Sequence, residues 1–350
     1  MQPTNDLWTR VKEQGTPLIE EDTATFVWFG KKAPLLAGDF SNWGGGEPIT
    51  LTQTAENVWV YQAHFPSDAY LEYAYFDQDG ERLPDPFNAN TVPSGVGDRN
   101  HYFYMPAGAP SKLARRRPNV DHGRVEQHTI ESKRLIVGGK RDIYLYQPPA
   151  VGPVPLVVVW DGRDYLHRAH LTHIVDNLIA QERIRPIALA MVRNGGSARF
   201  IEYACSEATL GFLITHVLPL AQERLDLIDI KKTPGAFGVL GASMGGLMAL
   251  YSAVRLAHIF GSAISQSGAF SLGGYDPVLS ELIRLCEPKP IRIWMDVGIY
   301  DFTINANQRM RDLLAARGYD VTYREYNAGH NYPAWRDEIW RGLEHLYGNK

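Results

Sequence analysis

One hexapeptide limits the folds open to this chain. Gly241-Ala242-Ser243-Met244-Gly245-Gly246 follows the apolar run at 236–240 and precedes the helix-like segment at 247–253. Glycine on both sides of Ser243 permits a sharp strand-to-helix turn that strains the serine backbone and exposes its hydroxyl. A side chain at Gly241 or Gly245 would crowd the strand or the helix. G-x-S-x-G alone is weak in a chain with 32 glycines, and the strand–turn–helix setting is what makes it specific. Such a turn belongs on a parallel sheet covered by helices. The chain supplies apolar runs at 155–160, 187–192, 236–240, 262–265 and 291–295, a last strand at 321–326, and helical patterns between them. Residues 134–137 and 142–146 read as a hairpin turning at Gly138-Gly139.

The first hundred residues have a different period. Residues 25–29, 58–65, 70–76 and 101–104 read as short strands broken by Gly, Pro and Asp, which predicts a β-sandwich over 1–105. Residues 106–120 hold Pro106, Gly108, Pro110 and Arg115-Arg116-Arg117-Pro118 and read as a linker whose arginines form a solvated tether. The catalytic α/β domain is then 121–350. With 350 residues and a formal net charge of -4, two domains and no nucleic-acid partner are expected. Two cysteines, Cys205 and Cys286, suit a reducing compartment. The start lacks a basic, then apolar, signal pattern, and no run reaches the ~20 residues of a membrane span. A cytoplasmic location and no membrane partner are therefore expected. Nothing fixes the oligomeric state.

A serine nucleophile needs a base, and the order on a sheet of this kind is Ser, acid, His. Of His258, His330 and His345, only His330 lies in a loop after the last strand, Asn327-Ala328-Gly329-His330-Asn331-Tyr332-Pro333. Asp301 and Asp296 both follow the penultimate apolar run; Asp301, in a loop opened by Gly298, is preferred as the acid that orients the imidazole. The oxyanion donors should be the N–H of Met244 and that of Gly162 or Arg163, in the turn Asp161-Gly162-Arg163-Asp164-Tyr165. His167, His170 and His173 would share a face if one helix carried all three, but without a carboxylate pattern they read as a polar face and not a metal site. No phosphate-binding loop, zinc-protease motif or dinucleotide fingerprint is present, so no cofactor is expected.

These residues resemble a known family. Gly241 to Gly246, the Asp161-Gly162 turn, Arg199-Phe200-Ile201-Glu202-Tyr203 and the ending from Gly329-His330-Asn331-Tyr332 to Trp335-Arg336 are similar to the enterochelin (enterobactin) esterases, kin to feruloyl and acetyl-xylan esterases. The resemblance implies an α/β-hydrolase fold, the triad Ser243, Asp301 and His330, and a substrate-binding set of Arg163, Arg199 and Trp335. It implies an acyl-enzyme hydrolysis of aromatic or siderophore-type esters, with polysaccharide-linked esters as the alternative substrate. Gly38-Asp39-Phe40-Ser41-Asn42-Trp43 resembles glycogen-binding, immunoglobulin-like early-set modules, whose tryptophans stack on sugars. Trp28, Trp43 and Trp59 fit that role or, preferably, the sandwich core. A glycan-binding protein with an inactive hydrolase domain is the reading from another class.

Overall fold

The unbroken apolar runs form the middle of an eight-stranded sheet. Its order is Arg124–Glu131, Lys140–Gln147, Ala188–Val192, Leu156–Trp160, Phe237–Ala242, Phe260–Gln266, Arg292–Gly298 and Asp320–Tyr326. The computed structural model describes residues 3–45, 48–94 and 97–349. Leu156–Trp160 pairs in parallel with Ala188–Val192 and with Phe237–Ala242. Phe260–Gln266 pairs in parallel with Phe237–Ala242 and with Arg292–Gly298. Leu156–Trp160, Ala188–Val192 and Phe237–Ala242 are buried at every position, as strands covered on both faces must be. The helix Met244–Arg255 packs behind its strand and is buried from Met244 through Val254.

The other edge is antiparallel, and there the expected hairpin is corrected. Its first strand is Arg124–Glu131, paired residue by residue with Lys140–Gln147 from Arg124↔Gln147 to Glu131↔Lys140. This strand alternates exposed and partly buried positions with two apolar residues among eight, so it shows no apolar run. Polar edge strands of this sort protect a sheet from further pairing. Residues 134–137 form a turn instead: Ile136 is buried and the Val137 N–H donates to Glu202 Oε1 at 2.8 Å. Part of the segment expected as a linker is also held down. Leu113 and Ala114 are buried, Asn177 Nδ2 donates to the carbonyls of Leu113 and Arg115 at 2.7 and 2.9 Å, and the Ser111 N–H donates to Asp337 at 2.8 Å. Arg115, Arg116 and Arg117 are exposed.

The chain divides into two compact units. One comprises Met1–Ala109, Gly298–Phe302 and Tyr326–Ala334; the other comprises Pro110–Val297, Thr303–Glu325 and Trp335–Lys350. In the first, two antiparallel sheets enclose a core. One runs Leu18–Glu20, Thr23–Phe29, Val58–His64, Thr52–Ala55; the other runs Ile49–Thr50, Leu35–Gly38, Tyr70–Phe76, Arg99–Tyr104, Thr91–Pro93. Phe26 from the first sheet meets Leu36, Leu71, Tyr73, Tyr75 and Phe103 from the second. A helix not foreseen from the sequence, Pro3–Gln14, sets Val11 against Leu18, Val27 and Val58. Among the described residues no single helix is long and apolar enough to cross a membrane.

Candidate active site

Ser243 stands between strand and helix with φ 57° and ψ −122°, a conformation an L residue keeps only when its surroundings enforce it. They do. Its N–H donates to the Gln266 carbonyl at 2.9 Å, and its carbonyl accepts from Ala269 and Leu247 N–H groups, both at 3.0 Å. The glycines act by contact. A Cβ at Gly241 would lie 2.2 Å from the Gly245 carbonyl oxygen, one at Gly245 would lie 2.8 Å from Asp161 Oδ2, and one at Gly246 2.7 Å from Ser265 Oγ. Met244 is the first residue of the helix, so its N–H has no partner in the helical ladder.

The expected second oxyanion segment is fixed by an ion pair whose carboxylate is buried and whose guanidinium is half-buried. Asp161 adopts φ 57°, and Gly162 opens the helix Gly162–His167. A Cβ on Gly162 would come within 2.1 Å of the Met191 carbonyl carbon, so only glycine lets this turn press on the adjacent strand. Arg199 Nε and Nη2 donate to Asp161 Oδ1 and Oδ2, both at 2.6 Å, and Asn194 Nδ2 adds a bond to Oδ1 at 2.8 Å. Arg199 Nη2 also donates to the Ala242 carbonyl at 3.2 Å, one residue before Ser243. Arg199, implied by resemblance to meet substrate, ties the Asp161 turn to the end of the nucleophile strand. Arg163 is exposed and lines a cavity of about 340 Å³ with Asp164, His167, Arg168, Arg193 and Asn194.

Trp335 completes the implied substrate set. It is buried, its Nε1 donates to Ser267 Oγ at 3.0 Å, and its carbonyl accepts from Gln266 Nε2 at 3.2 Å. Both partners lie at the end of Phe260–Gln266, where the Gln266 carbonyl also accepts the Ser243 N–H. The three histidines separate as well. His167 ends one helix and His170, at φ 51°, precedes the next, Leu171–Ala180, so no single helix face carries them. The rings of His170 and His173 stack at 5.6 Å. Among the described residues no group of three or more His, Cys, Asp or Glu side chains is arranged to hold a metal ion.

In the N-terminal unit, His330 Nδ1 lies 2.9 and 2.8 Å from Asp301 Oδ1 and Oδ2. The Asp301 side chain is fully buried, and the Phe302 ring packs 4.5 Å from the imidazole. The two loops are pressed together at Gly298, where a Cβ would lie 2.0 Å from the Ala328 carbonyl oxygen. The Tyr300 N–H donates to that same carbonyl at 3.1 Å. Asp296, the alternative acid, is engaged elsewhere. It accepts from Trp294 Nε1 at 2.8 Å and from Gln266 Nε2 at 3.3 Å, and burial pushes its carboxyl up to about 7. His345 lies on the last helix, Tyr332–Tyr347, bonded to Thr322. Asn194 and Asp39 were not singled out from sequence. Asn194 sits in the loop after Ala188–Val192 with no motif to mark it, whereas Asp39 lies within the Gly38–Trp43 stretch that resembles a sugar-binding module.

A strained serine on a tight strand-to-helix turn, on a sheet of this order, defines the α/β-hydrolase class of protein. The family model described as "Esterase: Putative esterase" matches residues 132–346, and the chain belongs to that family. Among curated relatives, the iron(III) enterobactin esterase of Dickeya dadantii is 27% identical over 292 residues, 75% of this chain. That alignment covers 65% of the relative, so the chain spans just under two thirds of its length. Among solved structures, the ferric enterobactin esterase of Salmonella typhimurium superposes with a TM-score of 0.79 at 20% identity, covering 97% of this chain and 98% of that one. A ferulic acid esterase from Anaeromyces mucronatus reaches 0.57 at 16% identity, covering 67% of this chain and 95% of its own.

Proposed function

We propose that this protein is a serine carboxylic-ester hydrolase working through an acyl-enzyme. Ser243 Oγ attacks the ester carbonyl carbon while His330 accepts the hydroxyl proton on Nε2, its Nδ1 facing Asp301. The N–H of Met244 and that of Gly162 or Arg163 take the developing oxyanion. The tetrahedral species collapses, His330 returns the proton to the departing alkoxide, and the acyl group stays on Ser243. Water, deprotonated by His330, then attacks the acyl carbon; the acyl–Oγ bond breaks, His330 returns the proton to Ser243 Oγ, and a carboxylic acid leaves. The observation carrying this reading is the Asp301–His330 pair, in a chain whose elbow serine precedes both in the order this class uses.

The substrates proposed are aromatic or siderophore-type esters of the enterobactin kind. The relatives' names support this, and so does the exposed Arg163 at a cavity next to the Gly162 turn, whose guanidinium suits a catecholate; Arg168 and Arg193 in the same lining are paired with Asp164 and Asp142. The test is a panel of a catecholate trilactone with and without iron(III), a feruloyl sugar and nitrophenyl esters, run on wild type and Ser243→Ala. Wild type should prefer the trilactone. Ser243→Ala should lose roughly 10⁴- to 10⁶-fold in kcat, and a fluorophosphonate should label Ser243 alone. Unchanged activity in Ser243→Ala, or labelling elsewhere, defeats the mechanism; preference for the feruloyl sugar defeats the substrate.

A further inference from the structure

The stretch Gly38-Asp39-Phe40-Ser41-Asn42-Trp43 resembles a sugar-binding signature, yet its polar groups turn inward. The Asp39 carboxylate is 4% exposed. It accepts from Trp43 Nε1 at 2.7 Å on Oδ1, and from the Glu72 N–H at 2.9 Å and Asn331 Nδ2 at 3.4 Å on Oδ2. Its seat is narrow, because a Cβ at Gly38 would meet the Glu72 carbonyl oxygen at 2.6 Å. The decisive contact is with Gly329. A Cβ there would lie 2.1 to 2.5 Å from the Asp39 carboxyl atoms, so the Gly329 backbone rests directly on that carboxylate. Gly329 and Asn331 are the two neighbours of His330.

The rest of the loop is held from the same side. The Tyr70 N–H donates to the Asn327 carbonyl at 3.0 Å, Asn327 Nδ2 donates to Asp68 Oδ1 at 2.6 Å, and Tyr70 and Ala328 form a parallel bridge. Asn331 Oδ1 accepts the Ala334 N–H at 3.0 Å, so the residue bonded to Asp39 also starts the last helix. An imidazole positioned on a loop is only as well placed as the backbone on either side of it. Asp39 bonds or touches both sides.

We propose that Asp39 is a positioning residue for His330, so that the Gly38–Trp43 stretch serves catalysis by seating the histidine loop and not by stacking on sugar. This rests on His330 being the base of the proposed reaction. Burial and the nearby Glu72 carboxylate hold the Asp39 carboxyl above its ordinary range, and the Asp301 carboxylate adds to that, as expected for an acid built into the same network.

The test uses the full chain, a nitrophenyl ester and steady-state kinetics. Asp39→Ala should lower kcat roughly 10- to 100-fold and leave KM nearly unchanged, because a displaced imidazole slows proton transfer and not binding. Asp39→Asn, which keeps an acceptor oxygen and the shape, should recover part of the loss. Gly329→Ala, whose new methyl meets the carboxylate, should lower kcat as well, and its effect should shrink in an Asp39→Ala background. In a His330→Ala background, Asp39→Ala should leave the residual rate unchanged. Wild-type kcat in Asp39→Ala and in Gly329→Ala overturns the proposal, as does full additivity of Asp39→Ala with His330→Ala. If Asp39→Ala does not fold, Gly329→Ala alone decides. Should Ser243→Ala or His330→Ala keep full activity, the proposed function has failed; dependence on both with indifference to Asp39 and Gly329 fails only this inference.

Discussion

His330 Nδ1 stands between both carboxylate oxygens of Asp301, at 2.9 and 2.8 Å, with that carboxylate wholly withdrawn from solvent. A buried carboxylate so placed fixes the ring's tautomer and stabilises the imidazolium that forms when a proton arrives. Asp301→Asn should therefore cost about 10²- to 10⁴-fold in kcat. Asp296→Asn should cost far less, since Asp296 answers Trp294 and Gln266. Steady-state kinetics on the two purified variants decide it, and the opposite ranking would hand the role to Asp296.

Arg199 offers a second measurement. Its removal strands the Asp161 carboxylate, whose side chain has no solvent exposure, with Asn194 left as a donor. Breaking a buried pair from one side typically costs about 3–5 kcal/mol. Arg199→Ala should fall at or below the lower end of that range by urea unfolding, because the guanidinium is half-buried and Asn194 still donates, and Arg199→Lys should rescue little, because an ammonium cannot reproduce the two-pronged contact. Activity should fall in kcat, as the Asp161 turn and the Ala242 carbonyl lose their common tie. A raised KM with unaltered stability would instead return the guanidinium to the substrate.

How far the sequence reaches depends on the distance over which each feature is encoded. The Ser243 turn was legible because strand, glycines and helix are contiguous, and the steric reasons lie within a few residues or one neighbouring strand. The His330 loop was legible from chain order. The strand Arg124–Glu131 was not, since an edge strand needs no apolar face and its pattern looks like loop. The partners of Arg199 and Trp335 are not legible, because nothing local reports that Asp161, 38 residues away, and Ser267, 68 residues away, bond them. Asp39 is the extreme case: Asn331 is 292 residues distant, and one short stretch supports either sugar stacking or loop bracing until its partner is known.

Asp296 gives a pH dependence whose sign follows from burial. Its carboxyl is pushed up to about 7 by loss of water, from an ordinary value of 3.8. The folded state thus keeps a proton that the unfolded chain has released. Its contribution is most favourable below about pH 4 and is lost as pH rises towards 7. Three pKa units correspond to about 4 kcal/mol. Asp296→Asn does not titrate, so its stability relative to wild type should improve by about that much between pH 4 and 8. Urea midpoints across that range give the difference directly. A constant difference would mean that Asp296 is ionised throughout and fully compensated by Trp294 and Gln266.

The N-terminal tryptophans separate a binding module from a structural one. Trp59 Nε1 donates to the Gly30 carbonyl at 2.9 Å, Trp59 pairs across the strands with Trp28, and the Trp28 ring packs 5.2 Å from Tyr75. Trp28 and Trp59 pack on the sandwich core, and Trp43 is bonded to Asp39. A ring that stacks on sugar must offer an open face, so its loss spares stability and abolishes retention on polysaccharide. A ring built into the sandwich behaves the other way. Trp59→Ala should cost about 2–3 kcal/mol, somewhat below the value for a fully buried tryptophan because Trp59 is half-buried. Neither wild type nor Trp59→Ala should be slowed in native gels containing glycogen or xylan. Retardation of wild type that Trp59→Ala removes, at unchanged thermal stability, would show that the module binds glycan and that its tryptophans face the sugar.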